Sequence, residues 1–379
     1  MGDNSVLTQA GCRTRQERLR ALLERRGLDA TILYDKNEIF YFTGFLIPDF
    51  LSQPAAFYFE AGGFSLLVCA TDEGEALVDE RLTYEPHLLY TRNQDLVRQI
   101  AALLEQWLAG RSARRVGWRV EALPRAIGIA IDRVIAPDEW VAIDDDIADM
   151  ERAKDPDEIE LIRTSIACNL AAYGAAELEI APRVSELAVL QAGQRSAILR
   201  AGEQVFHSGD YQAGQFGGFA RPVPISEGDL YIIDAWTEYR SYWSDMARTF
   251  AVTTATPLQR EVYDHIADIL RDVGGRLKPG VHGTDIWTWV DGRIREHPMF
   301  RETGLIHHAG HGVGLRAHEG PDLNRDRGEE LRPGDVVSVE PGAYAPELRP
   351  GFRLENMFLI TETGCELLSE YPLSLERQV

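Results

Sequence analysis

The chain has 379 residues, 45% of them hydrophobic, with 39 Lys and Arg against 60 Asp and Glu. That length favours two domains or one large one, and the apolar fraction is enough to bury a core. The net charge of −21 argues against nucleic acid or an anionic membrane as a main partner, because both select positive protein.

Along the chain, Leu19, Leu22 and Leu23 recur at helical spacing before Gly27, which predicts a helix over 15–26 with a glycine stop. The segments 29–34 and 38–45 read as strands. Two apolar runs around Gly62 and Gly63 predict a hairpin over 56–70. An amphipathic helix is expected over 95–110 and a strand over 114–120. Residues 1–148 are therefore expected to form a mixed α/β domain. The acidic stretch 144–158 marks the boundary, and residues 149–379 form the second domain. Asp155 suits an N-cap, Pro156 the first turn, and Asp157 and Glu158 the positive end of a long helix. Helices are predicted over 184–200, 257–273 and 284–296, and strands over 230–235, 245–252, 335–340 and 356–361. Helices alternating with antiparallel-type strands give the second half an α+β character.

Cys12, Cys69, Cys168 and Cys365 lie far apart with no CxxC pair, which excludes zinc-ribbon and redox-motif readings. Buried thiols in a reducing compartment are expected. The first twenty residues lack a signal-peptide core, Val6 breaks the myristoylation pattern, and no membrane span is expected, so the expected location is cytoplasmic.

Five segments carry chemistry. Asp234 ends the apolar run of "LYIIDAW", and Asp245 sits in "YWSDMARTF". "HHAGHGVGLRAHEGP" holds His307, His308, His311 and His318, while "VVSVEPGAY" and "GFRLENMFLIT" hold Glu340 and Glu355. These acids sit at the edges of strands that should be buried, and burying an ionised carboxylate is costly unless it is paired. Arg248 and Arg353 are too few to neutralise the four acids, whereas two divalent cations would. His311, between Gly310 and Gly312, offers a nitrogen ligand on backbone that can pass close to other strands. An oxygen-rich set with one imidazole suits manganese, iron or cobalt better than a structural zinc cage. A lone strand-end aspartate is ordinarily a turn residue, so the weight rests on the whole set. His307 and His308 read as a core pair or as support behind the ligands. His87, His207, His265, His282 and His297 have no partner pattern and read as structural or exposed.

Taken in this order, the segments resemble the pita-bread metallopeptidases: Xaa-Pro dipeptidases (prolidases), aminopeptidase P, methionine aminopeptidase and the creatinases. "RQERLRALLERRGLDATILYDKNEIFYFTGF" resembles the N-terminal domain of prolidases, aminopeptidase P and creatinase, and "MERAKDPDEIELIRTS" the start of their catalytic domain. The resemblance implies an α+β chain: a creatinase-type α/β domain with a ribonuclease H-like sheet over 1–148, and a pita-bread catalytic domain over 149–379. It implies metal ligands Asp234, Asp245, His311, Glu340 and Glu355, with Asp245 and Glu355 bridging two divalent ions. The ions would be Mn(2+), with Co(2+), Fe(2+) or Zn(2+) as alternatives. Glu340 would shuttle a proton, and His318 would bind substrate and donate to the scissile carbonyl. Arg353 would orient Glu355 or bind substrate by gripping a product carboxylate, and Arg248 reads as structural. The implied function is hydrolysis of Xaa-Pro bonds in dipeptides or at peptide N-termini, with a small peptide as partner and a homodimer as assembly. The alternatives are a creatinase-like hydrolase of a small non-peptide C–N bond and a non-catalytic metal-binding adaptor.

Three positions depart from the family pattern. A histidine usual before the first aspartate is missing near Gly217, where His207 lies about ten residues too early and Tyr211, Gln212 and Gln215 are candidate substitutes. Trp236 stands where a small residue is common and would narrow the pocket. Ala247 replaces a common threonine, removing one hydrogen bond near the ligands.

Overall fold

The computed structural model describes residues 6–47, 53–86, 92 and 94–377. His87 lies outside them. The chain separates into two compact units, one over Val6–Met150 and the other from Glu151 onward.

The first unit opens with α1 (Gln9–Arg26), capped by the Thr8 hydroxyl and closed by Gly27 at φ 63°. β1 (Ala30–Leu33) follows. The expected strand over 38–45 is instead a helix, α2 (Lys36–Thr43). Its aromatic residues favour a strand on propensity alone. The Asp35 carboxylate, however, accepts the N–H groups of Asn37 and Glu38 at 2.8 and 3.3 Å, and Gly44 ends the segment at φ 74°. Caps at both ends and burial of Glu38 through Thr43 override the propensity.

The predicted hairpin forms β2 (Ala56–Glu60) and β3 (Ser65–Cys69), turning through Gly63 at φ 92°. Then come β4 (Glu80–Thr83), α3 (Leu96–Leu108), β5 (Arg115–Trp118), α4 (Arg125–Val134), β6 (Glu139–Ala142) and α5 (Asp144–Arg152). The six strands form one sheet in the order β4-β3-β2-β1-β5-β6. β3, β2 and β1 run antiparallel; β5 and β6 continue parallel to β1. Ile32, Tyr58, Val68 and Val116 from the sheet pack with Ile100 and Leu104 of α3 and Ile127 and Ile131 of α4. In the acidic boundary stretch, Asp144, Asp145 and Asp146 occupy the first turn of α5, where the helix dipole favours negative charge.

In the second unit, the Asp155 N–H donates to Glu158 at 2.8 Å as α6 (Pro156–Glu179) begins. α7 (Glu186–Ala201), β7 (Phe206–Ala213), β8 (Leu230–Tyr239) and β9 (Tyr242–Ala251) follow, then α8 (Pro257–Val273) and α9 (Gly283–Glu296). The remaining strands are β10 (Gly310–Gly312), β11 (Glu319–Leu323), β12 (Val336–Val339), β13 (Gly342–Tyr344), β14 (Gly351–Arg353), β15 (Asn356–Ile360) and β16 (Cys365–Leu367). β7-β8-β9 form an antiparallel sheet, β11-β10-β12-β15-β16 a second, and β13-β14 a ribbon.

Strand alternation decides what each sheet shows. Tyr231, Ile233 and Ala235 of β8 and Met246 and Phe250 of β9 join a core with Tyr173 and Ala176 of α6 and Val189 of α7. Val337, Val339, Phe358 and Ile360 join a core with Ile266 and Ile269 of α8 and Val290 of α9. The intervening positions of the first sheet therefore point away from α6 and α7 and those of the second away from this core, and these positions carry the acids.

Candidate metal centre

On β8 and β9 the helix-free positions include Asp234, Trp236 and Asp245; in the register Asp234 pairs with Ala247 and Trp236 with Asp245. On the other sheet they run through Ser338 to Glu340 just past β12, and through Met357 back to Glu355 just before β15. The two sheets are stitched together at this face. The Glu355 N–H donates to Ala247 O at 2.9 Å, and the Asp245 N–H meets Met357 Sδ at 3.2 Å.

His311 enters on β10, one of the tightest strand crossings in the unit. A Cβ on Gly310 would stand 2.0 Å from Ser338 O, and one on Gly312 would stand 2.1 Å from Gly320 O. Only hydrogen fits at both places, so glycine on each side brings the imidazole in. His311 Nδ1 lies 3.0 Å from Gly312 O and must donate to it, which leaves Nε2 as the free lone pair. That nitrogen lies 3.9 Å from Asp245 Oδ2 and 3.8 Å from Glu340 Oε1.

The five expected ligands converge. Atoms of Asp234, Asp245 and Glu355 lie within 4.8 Å of one another, as do atoms of His311, Glu340 and Glu355. Each set could hold a cation, and the two share Glu355. A third set joins Asp245, His311 and His318. All five ligands are buried, and among the described residues Asp245 Oδ1 and Glu355 Oε1 have no hydrogen-bond partner. Buried carboxylate oxygens left unpaired are costly unless a cation takes them, so the residues present fit divalent metal.

The charge balance agrees. Burial, reinforced by Asp234 and Glu340, holds the Asp245 carboxyl well above the carboxylate range. Glu355 is raised in the same way, by burial and then by Asp245 and Glu340. Burial lifts Asp234 to about 6 against the pull of Arg353. Glu340 goes the other way: burial would raise it, but His308, His307 and His311 outweigh that and bring it to about 2. Burial lowers His311 to about 4, keeping its imidazole neutral and able to bind metal.

Of the two readings of His307 and His308, the geometry favours support behind the cluster: His308 Nδ1 lies 3.1 Å from Glu340 Oε1, and His307 bonds the Tyr344 hydroxyl at 3.2 Å. Other roles are placed differently from the sequence reading. Arg353 donates to Asp234, to Asp210 at 3.0 Å, to the Tyr344 hydroxyl at 3.0 Å and to Phe216 O at 3.1 Å. Its guanidinium is thus turned to Asp234. Arg248, fully buried, donates to the backbone carbonyls of Glu355 at 2.6 Å and Tyr371 at 2.8 Å and to the Asn356 side chain at 2.8 Å, the structural role expected of it. His207 cannot replace the missing histidine. It pairs with Thr237, three residues from Asp234 and on the opposite sheet face, bonded to Thr237 at 2.8 Å and Tyr211 at 2.7 Å. Tyr211 shares that buried face. Gln212 holds Phe219 O at 2.8 Å, and Gln215 lines a separate cavity of about 490 Å³ with Glu186 and Arg221. Asp210, opposite Asp234 in the register, and Tyr344 were not singled out in the sequence. Asp210 lies on β7 at the parity of Asp234, but no strand was expected over 206–213, so the sequence offered no reason to pick it. His265, His282 and His297 bond to backbone or cap helices.

Comparison with known proteins agrees with this geometry. The family model "Creatinase/Prolidase N-terminal domain" matches residues 15–152, and "Metallopeptidase family M24" matches residues 160–362, more than half of the chain. The Xaa-Pro dipeptidase of Pyrococcus horikoshii is 26% identical over 359 residues, covering 92% of this chain and 94% of the relative. The solved prolidase from Pyrococcus horikoshii superposes with a TM-score of 0.77 at 23% identity, over 96% of this chain and 99% of its own. The solved aminopeptidase P of Escherichia coli gives 0.76 at 22% identity, covering 96% of each chain. These structural likenesses establish the pita-bread fold, and neither the creatinase-like nor the adaptor alternative is favoured by them. The chain belongs to metallopeptidase family M24, joined to a creatinase/prolidase N-terminal domain.

Proposed function

We propose that the protein hydrolyses the bond preceding proline, in dipeptides or at peptide N-termini, with two divalent cations held by Asp234, Asp245, His311, Glu340 and Glu355. The observation that carries this reading is the pair of three-residue clusters sharing Glu355, with orphaned oxygens on Asp245 and Glu355. Relatives named Xaa-Pro dipeptidase and structures named prolidase and aminopeptidase P support the substrate class. Manganese as the native metal, a homodimer and a cytoplasmic setting belong to the same proposal.

When bound, the cations would supply a water activated near neutral pH and polarise the scissile carbonyl. The chain's own groups do the rest. Glu340, steadied by His308, carries a proton on a carboxylate oxygen and returns it to the leaving nitrogen. His318, on the open side of His311, donates an N–H to the carbonyl oxygen as negative charge grows there. Arg353 holds Asp234 in place through contacts that leave little of the guanidinium for substrate. Proline's tertiary amide has no N–H, so recognition that needs no amide donor suits it. The test is a panel of Xaa-Pro dipeptides, longer Xaa-Pro peptides and small non-peptide amides, with manganese supplied. Turnover confined to Xaa-Pro bonds and abolished by chelation is expected; turnover of small amides alone would overturn the reading.

A further inference from the structure

The segment joining the two family-model matches contains Lys154, one of three lysines in a chain that otherwise uses arginine. Its backbone N–H is fixed to Gly334 O at 3.0 Å. Its side chain is 1% exposed and ion-paired with Glu319, itself 9% exposed. Glu319 immediately follows His318. The second oxygen of Glu319 accepts the Arg316 N–H at 3.2 Å, closing the loop between β10 and β11 on itself. Glu319 also pairs with Gly312 in the register of those strands. The neighbours of the two carboxyl-facing histidines are thereby set side by side. The His311 and His318 rings stack with centroids 3.6 Å apart and planes 15° from parallel.

The slot under this loop is built for an ammonium. A Cβ on Gly314 would stand 2.6 Å from Glu319 Oε1 and 2.6 Å from Lys154 Cε, so the ion pair lies against bare backbone. Gly314 is pinned in turn, its carbonyl accepting the Trp243 N–H at 2.8 Å. A planar guanidinium needs more room than this, which accounts for lysine in an arginine-rich chain. A buried ion pair adds little net stability, because desolvation offsets the attraction, yet it fixes geometry closely.

We propose that Lys154 is a positioning residue for His318, acting through Glu319. The inference deepens the proposed activity and rests on it for its kinetic arm. The kinetic arm uses metal-loaded Lys154→Met and Glu319→Gln. Each should lower kcat roughly 10- to 100-fold, with KM and metal content unchanged. Neither should add to the loss caused by His318→Ala. The structural arm uses ring resonances of His318 in the zinc-loaded, 15N-histidine protein, assigned with His318→Ala. Both variants should shift them and weaken the ring-to-ring contact with His311. Wild-type turnover in both variants, losses that multiply with that of His318→Ala, metal lost in step with activity, or unmoved His318 resonances would each overturn the proposal. Glu319→Gln decides the matter if Lys154→Met does not fold. A wild type that cleaves no Xaa-Pro bond would overturn the proposed activity instead, and the resonances would still decide the placement of His318.

Discussion

At the scale of single residues, the centre consists of carboxylates kept where water would not leave them. Asp245→Ala removes an oxygen ligand together with a buried charge, so it should abolish bound metal and turnover while the fold survives. Metal analysis beside a circular dichroism melt checks this; turnover in metal-free buffer would count against it. His318→Ala should lower kcat by roughly 10²- to 10³-fold with metal retained, the usual cost of one lost donor to a developing oxyanion. Steady-state kinetics on an Xaa-Pro dipeptide would show it. The clustering of Asp234, Glu340 and Glu355 was legible in the sequence because each sat beside an apolar run that had to be buried, and that of His311 because glycines flank it. Asp210 and Tyr344 were not, because neither is anomalous where it stands; their importance comes from Arg353, which meets them only after folding.

At the scale of elements, the glycine-flanked β10 and the caps of α2 show where local signals decide and where they compete. Adding a methyl group at Gly310 drives it into the Ser338 carbonyl, which is backbone and cannot swing aside. Gly310→Ala should therefore cost about 1–3 kcal/mol of stability and weaken metal binding by displacing His311, measurable by urea unfolding and metal titration. On α2, Asp35→Ala should cost about 1 kcal/mol by releasing the N–H groups of Asn37 and Glu38, again read by urea unfolding. The long helices and the β8–β9 pair were predictable because their periodicity runs over many residues. The aromatic α2 was not, since a short apolar run fits either period and the arbiters were a single aspartate before it and a glycine after it.

At the scale of the whole molecule, the centre ties stability to pH and to metal. In metal-free protein Asp234 is raised to about 6, and Asp245 and Glu355 are raised well above their ordinary values. Folded values above the unfolded ones, about 3.9 for Asp and 4.3 for Glu, mean stability present in acid and lost as pH rises through the folded values. Glu340, lowered to about 2, runs oppositely, and its contribution is already complete above the unfolded value. Metal-free protein should thus lose stability as pH rises from about 4 through about 6 and further as Asp245 and Glu355 ionise, and added manganese should restore more of it at higher pH. At a hundredfold excess over Kd the gain is about 2.7 kcal/mol. Scanning calorimetry across that range checks the sign; a manganese-induced rise in Tm that shrinks with pH would contradict it.

The unpartnered oxygens of Asp245 and Glu355 carry a consequence for heredity. An amide at either place would relieve the empty protein of a burden while silencing its chemistry, so sturdiness and usefulness pull these two codons in opposite directions. A lineage released from the need for turnover should mutate there early, and Asp245→Asn should melt higher than its metal-free parent at neutral pH.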